Sequence, residues 1–240
     1  MDISANTMDD SNESVNGLGV KGIKKGRKVI KNKINFNIPL NEEQKRIKAQ
    51  ALQDAISVFV GKAGSGKTLL ATQIALEYLF YREVERVIIT RPTVSNEDIG
   101  FLPGSIKEKM DPWLSPIQSN MYMLYSKEKI DKLMNENTIE IAPISFLRGR
   151  TFVNACVIVD ESQNVTRTQM EMILSRLGLN SKMILTGDIS QTDLKNKKDS
   201  GLPYLFNMTN TIEGLGVYEL LTNHRHPIVD NILNYFQELK

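Results

Sequence analysis

The sequence predicts an α/β fold, a mostly parallel sheet covered on both faces by helices. Three observations carry that expectation. Short apolar runs at 56–60, 156–159 and 183–185 have the length of strands buried on both faces. Helix-forming stretches separate them, the alternation that parallel strands with crossover helices require. A glycine-rich loop at 61–68 joins the first run to helix-forming residues that continue through Tyr81.

Residues 1–20 contain Asp2, Asp9, Asp10 and Glu13, no base, and many Ser and Asn, so a disordered acidic tail is expected there. Residues 21–38 form a basic arm with Lys21, Lys24, Lys25, Arg27, Lys28, Lys31 and Lys33 and no acid before Glu42. Such an arm suits nucleic acid phosphates and equally suits a solvated linker. The rest, 39–240, is expected to be a single domain, because a chain of 240 residues with 41% hydrophobic content can bury one substantial core. The basic arm is the only extension expected on it.

Within that domain, 41–54 reads as a helix capped by Asn41, with Ile47, Ala51, Leu52 and Ala55 at helical spacing. Strand 56–60 and helix 67–81 follow. Further strands are expected at 87–89, 156–159 and 183–185, with weaker signals at 139–142 and 216–220, and helices at 166–177 and 227–239. The segment 101–125 carries Trp113, Tyr122 and Tyr125 among Pro103, Pro112 and Pro116. Its aromatics read as helix packing, a subunit contact or a surface on which bases stack.

Composition excludes several classes. The single cysteine, Cys156, cannot close a disulfide within the chain, and it lies in an apolar run as core material. No zinc-type cluster exists, and His224 and His226 have no acids at metal-binding spacing. No run approaches the roughly 20 apolar residues of a membrane span, and no basic stretch precedes an apolar one at the N-terminus. The expectation is a cytoplasmic chain without membrane contact. A net charge of +2 is too small to imply a partner by itself.

Chemistry enters at the glycine loop. G-K-A-G-S-G-K-T at 61–68 satisfies the phosphate-loop pattern G-x-x-x-x-G-K-[S/T] in full. Gly61, Lys62, Ala63, Gly64, Ser65 and Gly66 would wrap backbone N–H groups around a β-phosphate, with Leu69 beyond them in the helix. Lys67 would bridge the β- and γ-phosphates and Thr68 would coordinate Mg2+. C-V-I-V-D-E at 156–161 delivers two acids at a strand's C-terminal end, where α/β sheets place ligands. Asp160 is expected to hold the magnesium ion and Glu161 to polarise the attacking water. T-G-D-I-S-Q at 186–191 could place Gln191 near the γ-phosphate, with Asp188 ordering the turn. Lys195, Lys197 and Lys198 form a second basic loop just beyond it.

These motifs, in this order, resemble the PhoH-like family of ATPases and, through it, the superfamily 1 helicase core. The resemblance also rests on T-R-P-T-V at 90–94, G-F-L-P-G-S-I-K-E-K-M-D-P-W at 100–113, A-P-I-S-F-L-R-G-R-T at 142–151, V-I-V-D-E-S-Q-N at 157–164, S-R-L-G at 175–178, S-K-M-I-L-T-G-D at 181–188 and R-H-P at 225–227. It covers roughly 40–240. It implies a three-layer RecA-like P-loop NTPase fold, ATP hydrolysis with ATP and Mg2+ as cofactors, a homo-oligomeric ring that is hexameric, and RNA or single-stranded DNA as partner. The family is common in phage genomes. In related helicases a glutamine ahead of the loop reads adenine, and Gln44 either matches that element or is an exposed helix residue. Lys62, Ser162 and His224 depart from the family's usual residues.

Phosphoryl transfer needs positive charge on the transition state, and an arginine finger accelerates it by about 10³ to 10⁵. The chain is short for a second lobe, so a neighbouring subunit is expected to supply that charge. Arg225, Arg148 and Arg150 are the candidates, and Arg91 reads either as a contact to nucleic acid or nucleotide or as part of a structural turn. Three functions compete: an ATPase acting on or stimulated by RNA or single-stranded DNA, with helicase activity its furthest extension; a nucleotide-gated assembly protein; and a small-molecule kinase. Glu161, suited to activating water, argues against the kinase.

Overall fold

The structure is a computed structural model that describes residues 34–92, 106–209 and 211–238. The acidic tail, residues 21–33 of the basic arm and the motif residues 93–105 lie outside the described residues.

Six parallel strands make one sheet in the order β3-β2-β4-β5-β1-β6: β1 Ile56–Val60, β2 Arg86–Thr90, β3 Ile139–Ile141, β4 Ala155–Val159, β5 Lys182–Gly187 and β6 Leu215–Glu219. Every strand named from the sequence is present. Side chains alternate between two faces along each strand, and both faces are covered. Phe59, Ile89, Ile158 and Ile184 point into one core with Ile47, Leu70, Ile74, Met121 and Ile130. Val58, Val60, Val157 and Leu185 point into the other with Leu147, Phe152, Met170, Ile173 and Leu202. Burial on both faces is why β1, β4 and β5 read as unbroken apolar runs. Each fully buried Val, Leu or Ile contributes on the order of 1.5–3 kcal/mol relative to exposure.

Helices α1 Glu42–Ala51, α2 Lys67–Phe80, α3 Ile106–Leu124 and α4 Lys127–Asn135 precede β3. Asn41 caps α1 in a two-way box: Gln44 N–H donates to Asn41 Oδ1 at 2.7 Å, and Asn41 N–H donates to Gln44 Oε1 at 3.2 Å. Helix α2 is buried on most of its circumference between the sheet and α3, which explains its apolar sequence from Leu69 to Leu79. Helices α5 Arg167–Leu174, α6 Leu202–Phe206 and α7 Pro227–Glu238 complete the set among the described residues.

Helix ends differ from expectation: the helix expected over 41–54 stops at Ala51. The helix expected over 166–177 ends at Leu174, because the chain turns to pair with Phe152: Phe152 N–H donates to Arg176 O at 2.8 Å and Gly178 N–H to Phe152 O at 2.8 Å. The proline-bearing stretch is helical, with Pro112 and Pro116 inside α3, in keeping with the helix-packing reading of its aromatics. Its aromatics serve packing where they are described. Tyr125 meets the rings of Phe80 and Phe36, and Tyr122 Oη donates to Asp131 Oδ1 at 2.5 Å in α4. Among the described residues no helix is long and apolar enough to cross a membrane.

Candidate nucleotide site

Strand β1 delivers the chain into the glycine loop, and the loop opens directly into α2. Gly66 is the residue before the helix and has φ +82°, the left-handed region. The left-handed conformation favours glycine there, and a Cβ would lie 2.7 Å from Gln44 Nε2, so the amide end of Gln44 would also have to shift. Gly64 has φ +92°, and a Cβ there would lie 2.7 Å from Arg225 Cγ. No side chain caps the N-terminus of α2 and no acid occupies its first turn. Its leading N–H groups and positive dipole end therefore suit an anion.

Beside the loop, the ends of three neighbouring strands converge. Thr68 Oγ1 donates to Asp160 Oδ1 at 2.7 Å, and Thr186 Oγ1 donates to the same oxygen at 2.6 Å. Asp160 follows β4 and its N–H donates to Thr90 O at 2.8 Å, which fixes the buried carboxylate at the sheet's end. Lys67 Nζ donates to Gly61 O at 2.7 Å and Lys62 O at 2.9 Å. Burial pushes the Lys67 ammonium below its ordinary value; the carboxylates of Asp188, Glu161 and Asp160 oppose that, and Arg225 adds to it.

Glu161 lies in the left-handed region at φ +53°, ψ +41°, a conformation that costs a non-glycine residue about 1–3 kcal/mol and is maintained by surrounding contacts. Its carboxylate receives Gln163 Nε2 at 2.6 Å and Arg91 Nη2 at 3.3 Å. Gln163 Oε1 in turn accepts from Asp188 N–H at 3.1 Å. Asp188 Oδ1 accepts from Ser190 N–H and Oγ, at 2.9 and 2.6 Å, while its Oδ2 is buried without a partner among the described residues. Gln191 follows in the same turn, its N–H donating to Asp188 O at 3.2 Å.

Together these groups line a cleft of about 320 Å³ that includes Ala63, Gly64, Gly66, Lys67, Thr68, Leu69, Asp160, Glu161 and Gln191. Most of the residues singled out from the sequence are thus brought together. Asn120 and Gln163 line the cleft as well, beyond the residues that the sequence singles out. Gln163 stood in the quoted V-D-E-S-Q-N motif; nothing near Asn120 marked it, since its approach depends on α3 packing against α2.

The donor set fits magnesium. Thr68, Asp160 and the Asp188 oxygen without a partner among the described residues are hard oxygen donors beside a helix N-terminus that suits an anion. Among the described residues no group of three or more His, Cys, Asp or Glu side chains could hold a metal ion unaided, so phosphate oxygens and water would complete the shell.

The other candidates fall outside the cleft lining. Gln44 is 3% exposed, which corrects its reading as an exposed helix residue. Parallel pairing of β6 with β1 brings the following segment beside the loop, where His224 N–H donates to Gly64 O at 3.0 Å and the Arg225 side chain packs over Gly64 of its own chain. Arg150 donates to both oxygens of Glu140, at 2.6 and 2.7 Å, in the middle of β3. Arg148 is exposed. Lys62 is also exposed, its carbonyl serving Lys67, and the Ser162 hydroxyl donates to Thr186 O at 2.8 Å, joining the acid-bearing turn to β5.

The PhoH-like protein family profile matches residues 38–237, nearly all of the described chain. The chain belongs to the PhoH-like family. A PhoH-like protein of Synechocystis is 43% identical over 198 residues, covering 81% of this chain and 60% of the relative. One from Bacillus subtilis is 43% identical over 182 residues, covering 75% and 57%, and Protein PhoH of Escherichia coli is 44% identical over 145 residues, covering 59% and 41%. This PhoH-like chain therefore spans about three fifths or less of those relatives' length. Among solved structures, the large terminase of a thermophilic bacteriophage is similar at 10% identity and a TM-score of 0.47, covering 76% of this chain and 46% of the terminase. Pif1 helicase of Candida albicans is similar at 14% identity and a TM-score of 0.43, covering 84% and 44%. The α/β class expected from the sequence, a mostly parallel sheet covered on both faces, is the one found.

Proposed function

We propose that the chain binds ATP with magnesium and hydrolyses the terminal phosphate, acting on or stimulated by RNA or single-stranded DNA as a homo-oligomeric ring. The contact of Thr68 Oγ1 with Asp160 Oδ1 at 2.7 Å, beside Lys67 and one residue from Glu161, carries the reading. It joins a phosphate-loop hydroxyl to a strand-end carboxylate, the pair that binds the metal of a P-loop NTPase.

In this reading the N–H groups at the start of α2 hold the β-phosphate. Lys67 leaves its loop carbonyls to span the β- and γ-phosphates. Thr68 and Asp160 would hold magnesium, which supplies charge neutralisation on the phosphate oxygens. A carboxylate oxygen of Glu161 orients the attacking water and takes its proton. Gln191 reports the γ-phosphate, Gln44 faces the adenine side, and Arg225 adds positive charge above the loop. The ring would be hexameric by family resemblance, and Arg148, exposed at the surface, suits a role across a subunit boundary.

A nucleotide-gated assembly protein is the second reading. Exposed Ile228, Ile232, Tyr235 and Phe236 on α7 favour it, because a soluble monomer rarely leaves such a stripe uncovered. Phosphate release by wild type and Glu161→Gln, with and without RNA or single-stranded DNA, tests both while mass is measured at assay concentration. Hydrolysis that depends on Glu161 and rises with nucleic acid supports the first reading. A Glu161→Gln protein that assembles with ATP and retains its biological effect supports the second.

A further inference from the structure

Both oxygens of Glu161 are held, and by unequal partners. Gln163 Nε2 reaches Oε2 at 2.6 Å and is itself anchored to the backbone of Asp188. Arg91 Nη2 reaches Oε1 at 3.3 Å, with side chains 35% and 38% exposed for Arg91 and Glu161. Resting on the hydrolase reading above, we propose that Arg91 is a positioning residue that restrains Glu161, and that a phosphodiester strand at the ends of β2 and β4 releases it.

Three features support this. Arg91 follows β2 directly and Glu161 lies just beyond β4, adjacent strands in register through Thr90 and Val159, so the pair spans the sheet end where α/β proteins bind ligands. The hold is the weaker of the two, since Glu161 takes a single long bond from a guanidinium that carries five donors. A phosphate presents two oxygens in the geometry that guanidinium matches with two parallel bonds, so it competes well against one bond at 3.3 Å. Once Arg91 turns to the phosphate, Glu161 keeps its Gln163 bond alone among the described residues, and its other carboxylate oxygen can accept a proton from water. Loss of a half-exposed ion pair changes the population of the freed carboxylate by about fivefold, which bounds what this device contributes.

The test is steady-state phosphate release by the full chain with and without poly(U), for wild type, Arg91→Gln and Arg91→Lys, with a thermal melt of each. Arg91→Gln is expected to raise kcat without poly(U) by about fivefold at unchanged KM for ATP and to lose the same factor of stimulation. Arg91→Lys, which keeps the charge, retains the low rate. Arg91→Met serves the same purpose if the Gln variant fails to fold. An unstimulated kcat that is unchanged or lower in the neutral variants, or full stimulation retained by them, overturns the proposal. Wild type that hydrolyses ATP without responding to poly(U) overturns the phosphodiester trigger, and wild type that releases no phosphate overturns the hydrolase reading itself.

Discussion

The hydroxyl of Thr68 donates to Asp160 Oδ1 at 2.7 Å, linking residues 92 positions apart in the chain. A metal ion at this position would draw on the same two atoms. Thr68→Val keeps the volume and removes the oxygen. It is expected to weaken ATP binding in magnesium by about 10- to 100-fold, since loss of even an outer partner of a metal costs that much. Binding in EDTA should not change. Titration calorimetry in both buffers decides it, and equal affinity of variant and wild type in magnesium would rule out the metal role of Thr68.

Gly66→Ala should destabilise the fold for two separable reasons. The left-handed backbone costs an L-residue about 1–2 kcal/mol. The new methyl would also press on Gln44 Nε2 at 2.7 Å. Gln44→Ala alone loses half of the capping box on α1 but relieves that contact in the Gly66→Ala background. Urea unfolding of the four proteins should therefore give a double variant more stable than the summed single losses. Simple additivity would mean that the loop moves away from α1 at no cost.

The ion pair of Arg150 with Glu140 makes stability depend on pH in a defined direction. The hydrogen bond from Arg150 holds the Glu140 carboxyl below its ordinary value of 4.5, and burial opposes it only in part. A carboxylate with a depressed folded value contributes stability above the unfolded value and loses it as pH falls through the folded one. Solvent screening limits the contribution at pH 7 to about 1 kcal/mol or less. Glu140→Gln should therefore lower stability at pH 7, with the difference vanishing as the solution is acidified through the carboxylate range. A difference independent of pH would assign the effect to packing.

Cys156 lies wholly inside β4, and burial pushes its thiol up to about 12. Thiolate is the reactive form, so the native protein should resist a disulfide reagent at pH 8 and react only as fast as it unfolds. Reaction of one equivalent within seconds in the absence of denaturant would contradict the burial of β4.

Strands and loop were legible because their signals are local. Four apolar residues deliver Asp160, and the glycines of the phosphate loop carry conformations that other residues resist. Helix α3 was obscured by Pro112 and Pro116, which ordinarily end helices; burial of Met121 and Leu124 outweighs that preference. Gln44 shows the limit of local reading. Its sequence context fits an adenine-reading position or a helix surface equally, and its burial beside Gly66 depends on contacts distant in the chain. Partnership of Glu161 with Arg91 was hidden for the same reason, since it depends on β2 and β4 lying side by side.

The position of Arg225 separates action within a subunit from action across a boundary. In sequence it was one of three arginines that could reach a neighbour; in the structure it packs over Gly64 of its own chain because β6 runs parallel to β1. If it serves its own site, Arg225→Ala lowers phosphate release by about 10³, the lower end for an arginine finger. Mixing that variant with Glu161→Gln subunits then restores nothing, because no subunit contains both residues. Arg148 behaves oppositely if it acts across the boundary. In a mixed assembly, an Arg148→Ala subunit retains Glu161 and receives Arg148 from its Glu161→Gln neighbour, so activity returns. Rates measured over a range of mixing ratios distinguish the two arginines, and recovery in the Arg225 mixture would move that residue into the neighbouring site.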